Sequence, residues 1–243
     1  MIPKKIHYCW FGENKKPDTI VKYIDKWKQI YTDYQVVEWN ESNFDVNSVR
    51  FVQEAYSKKK YAFVSDYVRI FALYHFGGIY FDTDVEVLRN AEELFQSNKI
   101  VLGFESKELV LSAFLATEKE NETIYKILKK YDNMNFINPD GSINNTPNTV
   151  MITKVFEELG LIKNGLKQTF GSSITINPVD VFSAFDLASQ RINKTENTFQ
   201  IHHCDGSWQS LRDKVKPKVK MILIRLFGEK IFNKVKLLLT NRE

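Results

Sequence analysis

The sequence has few of the residues that mark secreted or low-complexity proteins. Among its 243 residues are only two cysteines, Cys9 and Cys204, with 10 glycines and 6 prolines. Two cysteines provide no disulfide framework and are typical of a reducing cytoplasm, so each is expected to be a small buried side chain. The scarcity of glycine and proline excludes collagen-like chains and long low-complexity linkers.

Long apolar runs are also missing from the sequence. The first ten residues, MIPKKIHYCW, contain no apolar segment of the kind a secretory signal needs. No uninterrupted run approaches the ~20 residues of a membrane span. We therefore expect a cytoplasmic protein, and the lack of a recognised nucleic-acid-binding module argues against nucleic acid as a partner.

The apolar residues that are present suffice for one large α/β domain. Hydrophobic residues make up 43% of the chain and aromatic residues 14%. Strand and helix patterns alternate through the first half, which favours a mostly parallel sheet flanked by helices. Such sheets bind ligands outside the carboxyl ends of their strands. The predicted strands are Ile6–Trp10, Gln35–Trp39, Ile79–Phe81, Ile100–Phe104, Leu109–Ala116, Ile174–Ile176 and Thr198–His203. The predicted helices are one capped by Asp18, then Val49–Tyr56, Tyr61–Phe76, Thr123–Tyr131 and Pro147–Leu159.

A charged pair interrupts the most apolar of these helices. Asp66 and Arg69 are three residues apart and share a face of the predicted helix Tyr61–Phe76. An exposed pair of this kind stabilises a helix by only ~0.2–0.5 kcal/mol, and burying it costs several kcal/mol per ion. Because stability is a poor reason to keep such a pair, we interpret it as directed at a polar ligand.

Two carboxylates follow the strand that comes next. Gly77 and Gly78 predict a helix end and a sharp return into the strand, which ends at Asp82-Thr83-Asp84. In extended geometry residues two apart point to the same face, so the carboxylates of Asp82 and Asp84 are expected to converge. A hard divalent cation such as Mg²⁺ or Mn²⁺ would relieve their repulsion. The alternative is an ordinary solvated turn.

Three segments together resemble a known family. They are IPKKIHYCWFG at the start, SDYVRIFALYHFGGIYFDTD in the middle and IHHCDGSW late in the chain, and they span about residues 2 to 208. The sequence resembles the DXD-containing sugar transferases of glycosyltransferase family 32, which include capsular-polysaccharide and yeast-type mannosyl transferases. The glucosylating clostridial toxins share the same core pattern.

The resemblance implies a glycosyltransferase-A fold, a Rossmann-like sheet that binds a nucleotide sugar. It implies that Trp10 stacks on the nucleotide base and that Asp66 and Arg69 contact the donor sugar and its phosphate. Asp84 becomes the direct metal ligand, and Asp82 reaches the metal or the ribose through water. Tyr80 is a weaker candidate for the same pocket.

The late segment supplies the remaining candidates. The resemblance favours His203 as a metal ligand and places Ser207 and Trp208 over the diphosphate. His202 and His203 point to opposite faces of a strand, so at most one of them is expected to meet the metal. Asn148 and Thr149 are weak candidates for contacting the acceptor, and no residue stands out as a nucleophile or base.

The last segment of the chain is strongly basic. Residues 212–243 contain 10 Lys/Arg against 3 Asp/Glu, whereas the rest contains 24 against 27. Lysines alternate there with apolar residues, which predicts an amphipathic helical tail on the domain formed by residues 1–211. Such a tail either binds an anionic membrane surface at the inner face of the cell membrane or packs on the domain as a solvated helix.

The function predicted from the sequence is a metal-dependent retaining hexosyltransferase. It would move galactose or glucose from a UDP-sugar to a saccharide acceptor in capsular or surface polysaccharide synthesis. A lipid-linked oligosaccharide is one candidate for this acceptor. One alternative is a metal-dependent phosphohydrolase that uses the same carboxylates. Another is a peripheral membrane-binding protein without catalytic activity, in which the two carboxylates are incidental.

Overall fold

The computed structural model describes residues 1–204 except 172, 187, 188 and 190. Ser207, Trp208 and the basic tail 212–243 lie outside the described residues, as does the predicted domain boundary at 211, so these remain predictions. Within the described part of the chain, no helix combines the length and the apolar character needed to cross a membrane.

Strands and helices alternate along the described chain. The strands are β1 Lys5–Cys9, β2 Gln35–Trp39, β3 Gly78–Phe81, β4 Val85–Val87, β5 Ile100–Phe104, β6 Val110–Thr117, β7 Gln168–Phe170, β8 Ile174–Asn177, β9 Phe185–Asp186, β10 Arg191–Ile192 and β11 Gln200–His202. The helices are α1 Asp18–Ile30, α2 Arg50–Ser57, α3 Tyr61–Phe76, α4 Glu122–Lys130, α5 Asn148–Glu158 and α6 Val179–Phe182. Single 3-10 turns occur at Glu92–Leu94 and Tyr131–Asn133.

Seven strands form one central sheet in the order β2-β1-β3-β6-β5-β8-β7. The pairs β1–β2, β1–β3 and β5–β8 are parallel, whereas β6 and β7 run opposite to the other five strands. The mixed, mostly parallel α/β sheet predicted from the sequence is therefore confirmed. A separate antiparallel pair joins β4 to β11, and another joins β9 to β10.

Apolar side chains pack on both faces of the sheet. On β3, Ile79 and Phe81 belong to the core layer that contains Trp27 of α1, whereas Tyr80 belongs to the layer that contains α3. This alternation is the period of two that a pleated strand imposes. The side chain of Tyr80 therefore lies on the same face of the sheet as Arg69 of α3.

Most predicted elements are present with ends shifted by one or two residues. Helix α1 begins at Asp18 itself, so its N-cap is Pro17 and not Asp18 as predicted. The acidic side chain still lies in the first turn, where it interacts favourably with the helix dipole. The short strands β4, β7, β9 and β10 and the short helix α6 were not predicted, because segments of two to four residues carry too little periodicity.

Two glycines turn the chain from α3 into β3. Gly77 and Gly78 have φ angles of +61° and +102°, a region that residues with a Cβ rarely adopt. A Cβ on Gly77 would lie 2.6 Å from the backbone nitrogen of Lys119, and one on Gly78 would lie 2.5 Å from the carbonyl oxygen of Lys5. Both positions therefore require glycine, and the tight return places the carboxyl end of β3 beside α3.

Candidate active site

Arg69 is the centre of a buried network at the carboxyl end of β3. Its guanidinium group lies 2.9 Å from Asp66 Oδ1 and 3.1 Å from Asp82 Oδ1 through Nη2. Nη1 donates to Asp82 Oδ2 at 3.2 Å and to the carbonyl oxygen of Ser112 at 2.9 Å. The sequence predicted that Asp66 and Arg69 reach one ligand site, and the structure does bring both to Asp82. Because the guanidinium group already binds acceptors within the protein, its geometry favours a role in positioning the carboxylates of Asp66 and Asp82.

Asp82 is held by donors on both of its oxygens. Besides Arg69, the hydroxyl group of Tyr80 donates to Asp82 Oδ1 at 2.9 Å. The ring of Tyr80 lies under the guanidinium of Arg69, with Cζ 4.7 Å from the ring centroid, a distance typical of a cation–π contact. The candidate Tyr80 thus lies within the site, where it orients Asp82.

The acidic pair lies in a turn, not in the extended segment expected from the sequence. Strand β3 ends at Phe81 and β4 begins at Val85, whose backbone N–H donates to the carbonyl oxygen of Asp82 at 3.0 Å. The two carboxylates therefore converge because the chain reverses between the strands. The structural reason differs from the predicted one, but the side chains still meet.

A histidine from the far end of the described chain completes this group. Pairing of β11 with β4 sets His202 opposite Val85, which brings its Nε2 to 3.4 Å from Asp84 Oδ1. One ligand atom each from Asp82, Asp84 and His202 lies within 4.8 Å of the others. The sequence reasoning favoured His203 as the ligand, whereas this geometry favours His202.

His203 lies on the opposite side of the strand, as alternation requires. Its Nε2 is 3.1 Å from Glu86 Oε2, and its ring stacks on Tyr23 of α1 with a centroid distance of 5.4 Å. Lys26 of α1 forms an ion pair with the same Glu86 at 2.9 Å. His203 therefore attaches β11 and β4 to α1, and its backbone N–H donates to the carbonyl oxygen of Asp84 at 3.1 Å.

Burial shifts the protonation of the site. Burial raises the pKa of Asp66 to about 6, although the neighbouring Arg69 opposes this shift. Burial alone would lower the pKa of His202, but its hydrogen bonds to Asp84 and Cys204 outweigh burial and raise it well above its usual value. In the absence of a cation, a proton on His202 thus compensates the adjacent carboxylate.

Trp10 lies at the same edge of the sheet as the acidic pair. It follows β1, the parallel neighbour of β3, and its side chain is partly exposed. The indole N–H donates to the carbonyl oxygen of Asn14 at 2.6 Å, and the ammonium group of Lys16 lies 5.9 Å from the ring centroid. The polar atom of the indole is thus already satisfied within the protein, and stacking of the ring on a base stays a prediction.

Glu105 is a further carboxylate at this edge that the sequence reasoning missed. It directly follows β5, and burial raises its pKa, with His202 and Arg69 lowering it and Asp82 raising it by their charges. Among the described residues, no hydrogen bond or ion pair to its carboxylate is present. Its position immediately after a predicted parallel strand was the signal that could have identified it.

Asn148 and Thr149 are buried at the start of α5. Asn148 lies beside Tyr131, whose hydroxyl group donates to the backbone carbonyl of Asp66 at 3.2 Å. Within the described part of the chain, Asn148 Nδ2 is buried without a hydrogen-bond partner. The structure thus places Asn148 behind Asp66, and its contact with an acceptor stays a prediction.

The acidic pair, Asp66 and Arg69 all lie within a segment that matches a known family. Residues 17–101 match the family described as "Glycosyltransferase sugar-binding region containing DXD motif". The chain is therefore similar to DXD-type glycosyltransferases over 85 of its 243 residues. The predicted resemblance to DXD-containing glycosyltransferases is confirmed, whereas the relation to toxins and capsular enzymes stays a prediction.

Curated relatives of the domain are glycosyltransferases as well. Over 119 residues the chain is 32% identical to lactosylceramide 4-alpha-galactosyltransferase of Mus musculus, covering 49% of this chain and 31% of that protein. It is 38% identical over 68 residues to the Rattus norvegicus protein of the same name, covering 28% of this chain and 18% of the relative. The match thus spans about a third or less of these relatives' length.

Two solved structures give partial matches to the chain. PaToxG glycosyltransferase is 17% identical with a TM-score of 0.49, covering 65% of this chain and 69% of its own. A glycosyltransferase involved in glycosylation of the major capsid of PBCV-1 is 9% identical with a TM-score of 0.49, covering 85% and 95%.

Proposed function

We propose that this chain transfers a hexose from a UDP-sugar to a hydroxyl group of a saccharide acceptor and depends on a divalent cation. The observation that carries this proposal is the cluster of Asp82, Asp84 and His202 ligand atoms, within 4.8 Å of one another beside the end of β3. Asp82 and Asp84 lie inside the segment that matches the DXD family, and His202 lies outside it. Cation dependence, the donor and the acceptor are part of the proposal.

The residues of the cluster fit a divalent cation. Two carboxylates suit Mn²⁺ or Mg²⁺, and the imidazole of His202 favours Mn²⁺ over Mg²⁺. Asp82 already accepts hydrogen bonds from Arg69 Nη1 and from Tyr80 and forms an ion pair with Arg69 Nη2, so we assign the direct contacts with the cation to Asp84 and His202. Asp82 then contributes an outer or water-mediated contact. A bound cation would neutralise the charge that develops on the departing diphosphate.

The remaining side chains bind and orient the donor in this proposal. Trp10 stacks on the base, an interaction worth ~1–3 kcal/mol in aromatic–base contacts. Asp66 accepts hydrogen bonds from the hexose hydroxyls, and Arg69 holds Asp66 and Asp82 in place. Packing of the ligand against these groups excludes water from the bond that breaks.

The choice of donor draws on the relatives. Their printed name describes a galactosyltransferase that acts on lactosylceramide, which supports UDP-galactose first and UDP-glucose second. Retention of configuration is proposed from the family resemblance alone. A role in capsular or surface polysaccharide synthesis, a lipid-linked acceptor and attachment of the basic tail to the cytoplasmic membrane face belong to the same proposal.

A thermal-shift panel of UDP-, GDP- and CDP-sugars, with and without Mn²⁺, tests the proposal. A UDP-hexose with Mn²⁺ should stabilise the protein by ~2.7 kcal/mol at a hundredfold excess over its dissociation constant. The variant Asp84→Asn should lose this stabilisation, whereas Asp25→Asn, an exposed aspartate on α1, should keep it. If none of the nucleotide sugars stabilises the protein, the proposal is refuted.

Two further assays separate the alternative functions. A phosphohydrolase would release phosphate from simple phosphate monoesters without needing the sugar. A membrane-binding protein would bind anionic vesicles equally well with Asp84→Asn, and it would show no Mn²⁺-dependent hydrolysis of any nucleotide sugar.

A further inference from the structure

Two apolar side chains project from the loop that connects α5 to β7. Ile162 and Leu166 are 66% and 64% exposed, which makes them the most exposed large hydrophobic residues of the described chain after Met1. A single exposed apolar residue is ordinary on a protein surface, but two on one short loop form a concentrated apolar surface. We call residues 160–167 the apolar loop.

The apolar loop is held in one conformation by the side chain of Gln168, the first residue of β7. The Gln168 amide donates to the carbonyl oxygen of Ile162 at 2.6 Å and accepts from the N–H of Ile162 at 2.9 Å. Asn164 Oδ1 accepts from the N–H of Leu166 and from Gln168 Nε2, both at 2.9 Å. Because these backbone groups are already satisfied inside the loop, its apolar side chains can enter an apolar medium without leaving them unpaired.

The apolar loop lies at the carboxyl edge of the sheet, where β3 ends in the acidic turn. Strand β7 runs antiparallel to β8, and Gln168 pairs with Ile176 near the end of β8. Strand β8 is parallel to β5, and β5 and β3 both run opposite to β6, so β8 and β3 end at the same edge. Four strand spacings of ~4.8 Å separate β3 from β7, or about 19 Å.

A run of three lysines lies at the other end of the same edge. Residues Lys58–Lys60, which we call the lysine turn, connect α2 to α3, are exposed and form no ion pair with another described residue. Tyr61 follows them and packs on Gly12, where an added Cβ would lie 2.3 Å from the Tyr61 ring. Because Gly12 belongs to the loop after β1, the lysine turn lies beside the carboxyl end of β1.

Lysines accompany the apolar loop as well. Lys167 ends the loop, and Lys107 lies beside Gly165, where an added Cβ would be 3.3 Å from Lys107 Cγ. Both lysines are exposed and form no ion pair with another described residue, whereas Lys163 is paired with two glutamates at 2.9 and 3.9 Å. Exposed apolar side chains flanked by lysines suit an anionic lipid surface, because the apolar groups enter the acyl boundary while the ammonium groups attract the headgroups.

We propose that the carboxyl edge of the sheet lies on an anionic membrane surface. The apolar loop inserts among the lipids at one end, and the lysine turn contacts headgroups at the other. The strand order places the acidic turn between these contacts, so the candidate active site faces the lipid. Anionic lipid fits these lysines better than the basic segment 212–243 does, since like charges repel. Lipid binding by these residues does not require the proposed reaction, so the two proposals can fail separately.

Sedimentation of the full chain with vesicles of phosphatidylcholine, alone or mixed with phosphatidylglycerol, tests this orientation. Leu166→Ser removes an apolar contact, and Lys59→Ser removes a charge from the lysine turn. The matched controls are Tyr125→Ser and Lys126→Ser, which change exposed residues on α4. Helix α4 follows the end of β6, which lies at the opposite edge of the sheet. Thermal denaturation of all four variants verifies that they fold.

The wild-type protein should bind the mixed vesicles about tenfold or more tightly than phosphatidylcholine alone. Leu166→Ser and Lys59→Ser should each weaken binding to the mixed vesicles by about fivefold, whereas the two α4 variants should stay within about twofold of the wild-type affinity. Hydrogen exchange locates the contact independently of affinity. The mixed vesicles should slow exchange of backbone amides in the apolar loop and the lysine turn and leave α4 unchanged.

Several results would overturn the inference. One is wild-type affinity for the mixed vesicles in both Leu166→Ser and Lys59→Ser. Another is protection from exchange confined to segment 212–243, which would assign lipid binding to that segment alone. A wild-type protein that binds neither kind of vesicle would overturn it too. None of these measurements involves a nucleotide sugar, so none of them decides the proposed function.

Discussion

Arg69 contacts both carboxylate oxygens of Asp82, through Nη1 at 3.2 Å and through Nη2 at 3.1 Å. Its planar group serves Asp66 and Ser112 at the same time, which one ammonium group cannot do from the same position. The orientation of Asp82 therefore depends on the planar, multi-donor geometry of a guanidinium group at residue 69 as well as on its positive charge.

We expect Arg69→Lys to lower both stability and donor hydrolysis. Loss of part of this buried network should reduce the free energy of unfolding by about 2–3 kcal/mol. Arg50→Lys is the control, because the Arg50 side chain is 68% exposed and its pair with Glu54 should contribute less than about 1 kcal/mol. Urea unfolding of both variants measures the difference. Equal stability of the two variants would show that the network at Arg69 is not needed.

The two adjacent histidines should differ in their effect on cation binding. His202→Gln removes one of the three clustered ligands and should weaken Mn²⁺ binding by about tenfold or more. His203→Gln removes a contact with Glu86 on the other face of β11 and should change the affinity by less than about threefold. Isothermal titration with Mn²⁺ measures both. A larger loss in His203→Gln would restore His203 as the ligand.

Cation binding should weaken as the pH falls. The pKa of His202 is raised, and a protonated imidazole cannot be a ligand, so Mn²⁺ must displace this proton. Affinity measured across neutral pH should therefore increase as the pH rises through the pKa of His202. The same series on His202→Gln should show a flatter dependence. Identical slopes for the two proteins would contradict the assignment.

A buried histidine elsewhere should make stability pH-dependent. His7 Nε2 donates to the carbonyl oxygen of Gly77 at 2.8 Å, and Trp39 Nε1 donates to His7 Nδ1 at 3.1 Å, so the neutral ring satisfies both nitrogens. Burial lowers its pKa to about 4, from 6.5 in the unfolded chain. The unfolded state therefore binds the proton first, and stability present above pH 6.5 is lost as the pH falls towards 4.

This contribution should amount to about 3 kcal/mol across that interval. Unfolding free energies of the wild-type protein and of His7→Gln, measured at several pH values, should differ less at pH 4 than at pH 7. His75→Gln, an exposed histidine on α3, is the control and should keep the wild-type slope. A wild-type slope in His7→Gln would refute the expectation.

Gly78, in the turn into β3, and Gly160, just after α5, allow a matched pair of glycine substitutions. Gly78 and Gly160 have φ angles of +102° and +108°, but only a Cβ at Gly78 would collide, at 2.5 Å from the Lys5 carbonyl oxygen. Gly160→Ala should cost about 1–3 kcal/mol for its backbone conformation alone. Gly78→Ala should cost more and should also weaken Mn²⁺ binding, because β3 positions Asp82. Equal losses in thermal denaturation would contradict this.

The sequence predicted the strands and helices that carry strong periodicity, and it predicted Asp66, Arg69, Asp82 and Asp84 as neighbours. Helix α3 and the strands β2 and β5 have the predicted bounds. What could not be read was the pairing of β4 with β11, because three-residue strands carry almost no pattern. That pairing decides which histidine faces the acidic turn, so the preference for His203 had no structural basis in the sequence.

Glu105 was missed for a related reason. Its sequence neighbours, Ser106 and Lys107, are exposed and typical of a solvated hairpin loop. Only the tertiary arrangement, in which residues of α6 and Cys204 line the same pocket as Glu105, sets this carboxylate apart. No local pattern could distinguish it from the exposed Glu108.

The link between β4 and β11 also has a consequence for the order of folding. A ribosome releases Asp82 and Asp84 more than 100 residues before His202, and a nascent chain that ends before β11 holds the acidic turn without the imidazole. Contacts so distant in sequence form late, since a long loop must close first. A complete three-ligand cluster therefore arises only after most of the described chain has been synthesised, and premature truncation would leave only its acidic half.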